Sequence, residues 1–254
     1  MKVAMKRLIS FLMILLLLPL HAMADPLILL EDVGEDIVEP YDAEDPTMGT
    51  FRYSYHYPHV DETDEDAAGI NEFYNYLIYE LDFYIQMAQD TYEGSDSTTV
   101  ITYTVTCNND DFFSVLVRKE ESTPDMTRTS WTGNVFLRHD GNPGYTSTLP
   151  QYLGILKASE TDEWLQNRQT ARADDLIREM VWAMIEDNEA DIAYSADLTE
   201  EKLSAVFFPE EDYYLDENGD PVFFLQPSDV YDDVPQDAEP VTFRIPLDDI
   251  LDEL

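Results

Sequence analysis

Three kinds of side chain in this sequence could do chemistry: histidines, a single cysteine and a large number of carboxylates. Beyond residue 24 the histidines are His56, His59 and His139, and none has a cysteine or a carboxylate at the spacing of a recognised zinc motif. We therefore predict that they lie at the surface or at strand edges. Cys107 lies in an alternating apolar segment, which favours a buried, inert thiol over the reactive thiol that an unpaired cysteine can provide outside the cell.

The short motifs that mark common active sites are missing from the sequence. It has no Gly-x-Ser-x-Gly for a hydrolase nucleophile, and no Walker loop or Gly-x-Gly-x-x-Gly to hold phosphates. Because 54 residues are acidic, pairs of carboxylates arise by chance, and a glycosidase pair is recognised by its separation in space. The sequence therefore predicts no catalytic, cofactor-binding or metal-binding residues, no cofactor, and a protein that is not an enzyme.

One acidic loop resembles part of a calcium site. Asp216, Asn218 and Asp220 occupy the first, third and fifth positions of a calcium-binding loop, where oxygen ligands belong. The sixth and twelfth positions, which need a glycine and a bidentate glutamate, hold Pro221 and Pro227. The flanking segments look like strands, and the Asn-Gly pair is a strong hairpin signal because both residues accept positive φ. A hairpin turn is the favoured interpretation.

Four tyrosines of one helical segment raise the question of a contact surface. Tyr74 and Tyr84 fall on the apolar stripe of the segment and are predicted to lie in the core. Tyr76 and Tyr79 fall off that stripe, which makes them weak candidates for a contact surface.

The first 24 residues have the three parts of a secretory signal in order. Lys2, Lys6 and Arg7 precede an apolar run over residues 8–20, and residues 22–24 read Ala-Met-Ala. The run is shorter than the roughly 20 residues of a spanning helix, which disfavours an uncleaved anchor. We predict a signal peptide over 1–24 that is cleaved before Asp25, and a protein secreted without a membrane span. Residues 25–48, acidic and interrupted by proline, are predicted to be a flexible leader.

The charge of the chain limits its partners. The first 24 residues hold three of the 14 basic residues and none of the 54 acidic ones, so the remainder has a formal charge of −43. Nucleic acid and anionic membrane surfaces would repel such a protein, whereas cationic proteins and divalent metals would be attracted. General adaptation to a salty or mineral-rich exterior explains the charge equally well.

Residues 49–254 are predicted to form a single α+β domain. Phe51, Tyr53, Tyr55 and Tyr57 alternate with polar residues, as in a half-buried strand. Further strands are predicted at residues 100–107, 112–118, 131–138, 213–215, 222–225 and 241–245. Because the strands come in adjacent hairpins, the sheet should be antiparallel.

Two long amphipathic helices are predicted to pack against this sheet. The first follows an N-cap at Thr63 and ends before Gly94, and the second follows an N-cap at Thr161. Thr199 opens a shorter helix that continues to Phe207, and a short acidic helix follows Pro246. The two apolar stripes consist of Ile70, Phe73, Tyr74, Leu77, Ile78, Leu81, Tyr84, Ile85 and Ala88, and of Trp164, Leu165, Ala173, Leu176, Ile177, Met180, Val181, Met184 and Ile185.

The last third of the chain has the pattern of a known family. An ordered set of segments carries it: Phe207-Phe208, Tyr213-Tyr214-Leu215, Asn218-Gly219, the run from Val222 to Pro227, and Phe243 to Leu247 followed by the residues up to Leu254. Tyr57-Pro58 and the stretch from Val105 to Val115 agree with it. Residues 50–254 thereby resemble the extracytoplasmic domain shared by the anti-sigma factor RsiV, which senses lysozyme, and the non-catalytic part of the peptidoglycan deacetylase PdaC.

The chain departs from that family in three respects. Where the family often has Gly-Gly-Ala-His, the nearest segment here is Thr132-Gly133-Asn134, without a histidine. The sequence also contains neither the cytoplasmic segment and membrane helix of RsiV nor the deacetylase domain of PdaC. It is therefore not expected to act as an anti-sigma factor by that mechanism, nor as a deacetylase.

The resemblance implies a non-catalytic binding or sensing module of the bacterial cell envelope. In its sharper form the module captures a cationic wall-active protein such as lysozyme, or cell-wall material, since opposite charges speed encounter. Two other classes stay open. One is an unrecognised wall hydrolase, which a cleft with two close carboxylates of raised pKa would favour. The other is an acidic structural protein that binds calcium diffusely.

Overall fold

The computed structural model describes residues 26–254 except 43, 64, 93, 140–143, 189–191 and 237. The predicted signal peptide lies outside the described residues. The strands are β1 (Val33–Pro40), β2 (Thr50–Tyr57), β3 (Ser97–Asn108), β4 (Phe112–Thr123), β5 (Met126–Leu137), β6 (Tyr213–Leu215), β7 (Pro221–Leu225) and β8 (Val241–Arg244). The helices are α1 (Glu65–Tyr92), α2 (Leu149–Tyr152), α3 (Glu163–Asp187), α4 (Glu200–Val206), α5 (Pro227–Val230) and α6 (Leu247–Glu253), with a 3-10 turn at Pro46–Met48.

The α+β class is confirmed, and the main sheet is mixed. Its five strands follow the order β1-β2-β3-β4-β5. β2 and β3 are parallel, while the other three pairs are antiparallel. The parallel pair arises because α1 runs between β2 and β3 and returns the chain to the same end of the sheet. A smaller antiparallel sheet has the order β6-β7-β8.

Both faces of the five-stranded sheet carry a core. On one face α1 covers the alternating side chains of β2, so Phe51, Tyr53, Tyr55 and Tyr57 are buried as the sequence predicts. On the other face the small sheet and α3 pack over residues such as Val135. The five-stranded sheet is therefore the middle layer of the molecule, between α1 on one face and the small sheet with α3 on the other.

The segment predicted to be a flexible leader contains a strand. β1 pairs with β2 along its whole length, from Val33 opposite Tyr57 to Pro40 opposite Thr50. Only Ile37 of this strand is half-buried, and its other residues are exposed. The strand was missed because main-chain hydrogen bonds hold it, and because an edge strand tolerates both acidic residues and proline.

Residues just before β1 are also attached to the domain. Leu27 is buried, its N–H donates to Asn108 Oδ1 at 2.8 Å, and the Asn108 amide donates back to the Leu27 carbonyl at 2.9 Å. Ile28 and Leu30 exchange main-chain hydrogen bonds with residues around His59, although their side chains are exposed. The apolar patch at residues 27–30 is thus anchored by one side chain and by its backbone.

The long helices differ from prediction at individual positions. The N-cap of α3 is Asp162, whose carboxylate accepts from the N–H groups of Trp164 and Leu165, and not Thr161. Trp164 is exposed, with the guanidinium carbon of Arg168 5.3 Å from its ring centre. Met184 is also exposed.

At Gly133 of β5 the two sheets approach each other closely. A Cβ atom on Gly133 would lie 1.7 Å from the carbonyl oxygen of Tyr213 in β6. The main chain of β6 therefore crosses β5 in the space that a side chain would otherwise take.

Candidate binding surface

Helix α1 exposes a row of large apolar side chains on the side away from the core. Tyr76, Tyr79, Phe83 and Met87 follow one another at spacings of three, four and four, so they share one face of the helix. Tyr79 is 78% exposed and Phe83 is 67% exposed. We call these four residues the aromatic stripe. An exposed apolar row of this kind is typical of an interaction surface.

The aromatic stripe lies opposite the buried face of the same helix. Ile70, Tyr74 and Leu81 are buried against the five-stranded sheet, and with 100° per residue the stripe falls about half a turn away from them. A helix that is apolar on two opposite faces normally has a partner on each of them. Among the described residues, the sheet packs against the buried face of α1, while on the other side the stripe is exposed and Gly144 lies beside Glu72.

Acidic residues surround the aromatic stripe. α1 contains six acidic residues and no basic one, and Glu72, Glu80 and Asp82 lie next to the stripe. The Tyr76 hydroxyl donates to Glu80 Oε1 at 2.7 Å, and this hydrogen bond raises the pKa of Tyr76. Because no cation of the helix offsets these charges, the surface is suited to a partner that brings its own.

A shallow depression lies within this surface. It has a volume of about 380 Å³ and is lined by Tyr79, Glu80, Asp82, Phe83 and Tyr84. The rings of Phe83 and Tyr84 meet edge to face with their centres 5.6 Å apart. Aromatic faces beside carboxylates form a site for a lysine or arginine side chain, which gains both a cation–π contact and an ion pair.

The sequence predicted half of this surface. Tyr76 and Tyr79 are exposed as predicted, and Tyr74 is buried as predicted. The prediction that Tyr84 lies in the core is wrong. Its side chain is 48% exposed, because it lies at the border of the buried face of α1. Phe83 and Met87 were missed, although their spacing from Tyr76 and Tyr79 would have revealed them.

The histidines lie outside this surface, and each is half-buried or exposed. His56 Nδ1 is 3.2 Å from Asp32 Oδ2, and His139 Nδ1 is 3.6 Å from Asp66 Oδ2. His59 is half-buried beside β2. Among residues 26–254, leaving aside the gaps stated above, no group of three His, Cys, Asp or Glu side chains could hold a metal ion.

Cys107 is buried, as predicted. Burial, with a smaller contribution from Asp216, raises the pKa of its thiol to about 11. The side-chain amide of Asn109 lies 3.3 Å from the sulfur.

The acidic loop at residues 216–220 is a hairpin turn between β6 and β7. The Gly219 N–H donates to the Asp216 carbonyl at 2.9 Å, and only the glycine has positive φ. The turn is therefore a type I turn followed by a glycine bulge, and not the type with two positive φ angles that Asn-Gly suggested. Asp216 Oδ1 accepts from the N–H groups of Asn218 and Asp220, and its Oδ2 lies 2.8 Å from Arg244 Nη1.

These contacts predict a structural role for Asp216. Asp216→Ala should lower the free energy of unfolding by about 1–3 kcal/mol, because two turn N–H groups and Arg244 lose their acceptor. Glu217→Ala, an exposed neighbour, is the control and should change it by less than about 0.5 kcal/mol. Chemical denaturation with and without millimolar calcium measures both effects. A rise in wild-type stability with calcium, absent in Asp216→Ala, would restore the calcium interpretation.

Carboxylates with raised pKa values cluster beside α3 and the loop before β6. Burial, then Glu210, raises the pKa of Asp174 to about 6, although Arg178 lies 3.4 Å away. Burial raises the pKa of Asp212 to about 7 and also raises that of Asp229. Asp212 accepts a hydrogen bond from the Phe208 N–H at 2.8 Å, which is a structural task. None of these acids lines the depression beside Tyr79 and Phe83.

No protein-family model matches the sequence, and a search of curated proteins finds no match. Within the described residues, no helix has the length and apolar character to cross a membrane.

The chain does resemble solved structures. One is the crystal structure of a member of the DUF3298 family from Bacteroides fragilis, with a TM-score of 0.54 and 12% identity, covering 87% of this chain and 91% of that one. Since that identity shows a shared fold alone, the chain has the fold of a DUF3298 family member, which is compatible with the RsiV/PdaC-like domain expected from its sequence.

Proposed function

We infer that this chain is a secreted, non-catalytic binding module of the bacterial cell envelope that captures a cationic protein through helix α1. The observation that carries the proposal is the aromatic stripe, exposed along one face of a helix that has six acidic residues and no basic one. A cationic wall-active protein such as lysozyme has the charge that this surface lacks.

The stripe and its carboxylates have separate roles in this proposal. Large aromatic side chains supply most of the affinity at protein interfaces when a partner removes them from water. The surrounding carboxylates, and the −43 charge of the chain beyond residue 24, accelerate encounter with a basic protein. Charge alone attracts every basic protein weakly, so specificity has to come from the stripe.

The proposal predicts that removing two aromatic side chains weakens binding while leaving the charge intact. The double variant Tyr79→Ser, Phe83→Ser should raise the Kd for lysozyme about 10- to 100-fold at physiological salt, because both rings are anchors. Isothermal titration calorimetry of the chain without residues 1–24 measures this. Glu80→Gln with Asp82→Asn should mainly slow association and reduce its salt dependence.

Two controls make the result specific. Trp164→Ser removes an aromatic side chain that is as exposed as Phe83 but belongs to α3, and it should leave the Kd unchanged. An unrelated protein with the same positive charge as lysozyme should bind weakly, and its binding should disappear at physiological salt, where charges are screened beyond about 8 Å. Equal, salt-sensitive binding of both proteins, or an unchanged Kd for the double variant, would rule out the proposal.

A further inference from the structure

The outer edge of β5 is protected along only part of its length. At one end, the Ser147 N–H donates to the Val135 carbonyl at 2.7 Å, and the Leu137 N–H donates to Ser147 Oγ at 3.0 Å. Further along, the side chain of Gln226 acts as a substitute strand: its Oε1 accepts from the Trp131 N–H at 3.1 Å, and its Nε2 donates to the Trp131 carbonyl at 2.8 Å. The protected part ends there.

The next two outward-facing residues of this edge are Thr129 and Thr127. Thr129 is buried and its hydroxyl accepts from Arg118 Nη2 at 3.4 Å, whereas Thr127 is half-buried. β4 and β5 pair without a register shift from Phe112–Leu137 to Thr123–Met126. In an antiparallel pair, every second residue directs its N–H and C=O away from the neighbouring strand. Since Trp131 directs these groups outward to Gln226, Thr129 and Thr127 do the same. Their outward N–H and C=O groups find no hydrogen-bond partner among the described residues.

A cavity lies against this open edge. It has a volume of about 480 Å³ and is bounded by the β4–β5 hairpin on one side and by the segment from Gln226 to Gln236 on the other. Arg128 and Asp125 are the two charged residues of its lining, and the remainder is mostly hydroxyl, amide and proline groups. In a chain with this excess of acid, the cavity is therefore close to neutral.

We propose that this cavity binds an extended, non-acidic peptide segment of another protein, which adds to the sheet as a strand beside β5. The main-chain groups of Thr127 and Thr129 supply two donors and two acceptors at the two-residue spacing that an added strand requires. Gln226 already makes the corresponding bonds at Trp131, which shows that this edge accepts a partner in strand geometry. The volume suits roughly three or four residues. Acidic segments are disfavoured by the charge of the chain.

The variant Thr127→Pro tests this proposal without altering the β4–β5 pairing. Proline removes the outward N–H of Thr127, and an edge strand tolerates it where no ladder bond is lost. Thr127→Val keeps the main chain and serves as the matched control. The probes are hexapeptides that are selected for binding to the wild-type protein from a random display library and then synthesised. Each peptide is also made in a control form in which every second amide nitrogen is methylated.

Selected peptides should bind the wild type and Thr127→Val alike, and should bind Thr127→Pro at least about 10-fold more weakly. Methylation of the paired amides should abolish binding, and the amide hydrogen exchange of Thr127 and Thr129 should slow when a peptide is bound. The proposal is overturned if no peptide is enriched, or if Thr127→Pro binds as the wild type does. A wild-type dimer that Thr127→Pro separates would show that a second copy of the chain takes the edge, and would also overturn it. The result is independent of the aromatic stripe, because both Thr127 variants leave α1 unchanged.

Discussion

Gly133→Ala is expected to lower the free energy of unfolding by about 3 kcal/mol or more, which corresponds to a Tm lower by roughly 10 °C. The added Cβ would lie 1.7 Å from the Tyr213 carbonyl oxygen and 2.6 Å from its carbon. Both obstacles are main-chain atoms, so no side-chain rotation relieves the collision. β6 has to move away from β5, and the packing of Tyr213 and Phe223 between the sheets is lost with it.

Gly94→Ala is the control for this variant. Gly94 has φ of +97°, so alanine is strained there, but nothing lies within 4 Å of the added Cβ. We expect Gly94→Ala to lower the free energy of unfolding by about 1 kcal/mol. Thermal unfolding followed by circular dichroism compares the two variants. If both lose the same stability, the crossing of β6 over β5 is looser than the distances indicate.

The stability of the folded chain is expected to fall by up to about 6 kcal/mol between pH 4 and pH 8. Burial raises the pKa of Asp174 to about 6 and that of Asp212 to about 7, from an ordinary value near 4. A carboxyl group whose pKa is higher in the folded state stabilises that state fully below its unfolded pKa. This stabilisation is lost as the pH rises from the unfolded-state pKa through the folded-state pKa. Over that range the carboxyl group of the unfolded chain is ionised, while the same group in the folded chain still holds its proton.

Asp212→Asn should make this pH dependence less steep. The asparagine amide oxygen can still accept from the Phe208 N–H, but it has no buried charge to accommodate at high pH. The variant should therefore be more stable than the wild type at pH 8 and equal to it at pH 4. Glu186→Gln removes the same charge at an exposed position of α3 and serves as the control for the general effect of a lower net charge. Urea denaturation across the pH range measures all three proteins, and parallel curves for Asp212→Asn and the wild type would refute the assignment.

Much of the architecture was predictable because it depends on periodicity. The alternation in β2 and the repeat of three and four in α1 and α3 place apolar side chains on one face, and burial follows from that. β1 was not predictable by this method, because Ile37 is its only half-buried residue and its main-chain bonds leave no pattern in the side chains. The parallel pairing of β2 with β3 depends on how a helix returns the chain, which hairpin spacing does not reveal.

The candidate surface was predictable only in part, for a related reason. Tyr76 and Tyr79 fall outside the buried stripe of α1, and the sequence alone therefore singles them out. Phe83 and Met87 continue the same exposed row, which becomes visible only when its spacing is followed from those two tyrosines. The edge of β5 is open at Thr127 and Thr129 because the side chain of Gln226 bonds to Trp131 and to neither of these two residues. Gln226 and Trp131 are 95 positions apart in the sequence. Contacts of that range are set by packing and not by local pattern.

The buried state of Cys107 has a consequence for the redox behaviour of this chain. It is the one cysteine of the sequence, and the thiol is almost fully protonated at neutral pH because its pKa is about 11. A single cysteine allows no intramolecular disulfide, so folding requires no disulfide exchange, and burial of the protonated thiol disfavours mixed disulfides and reaction with peroxide. The fold should therefore be equally stable under oxidising and reducing conditions.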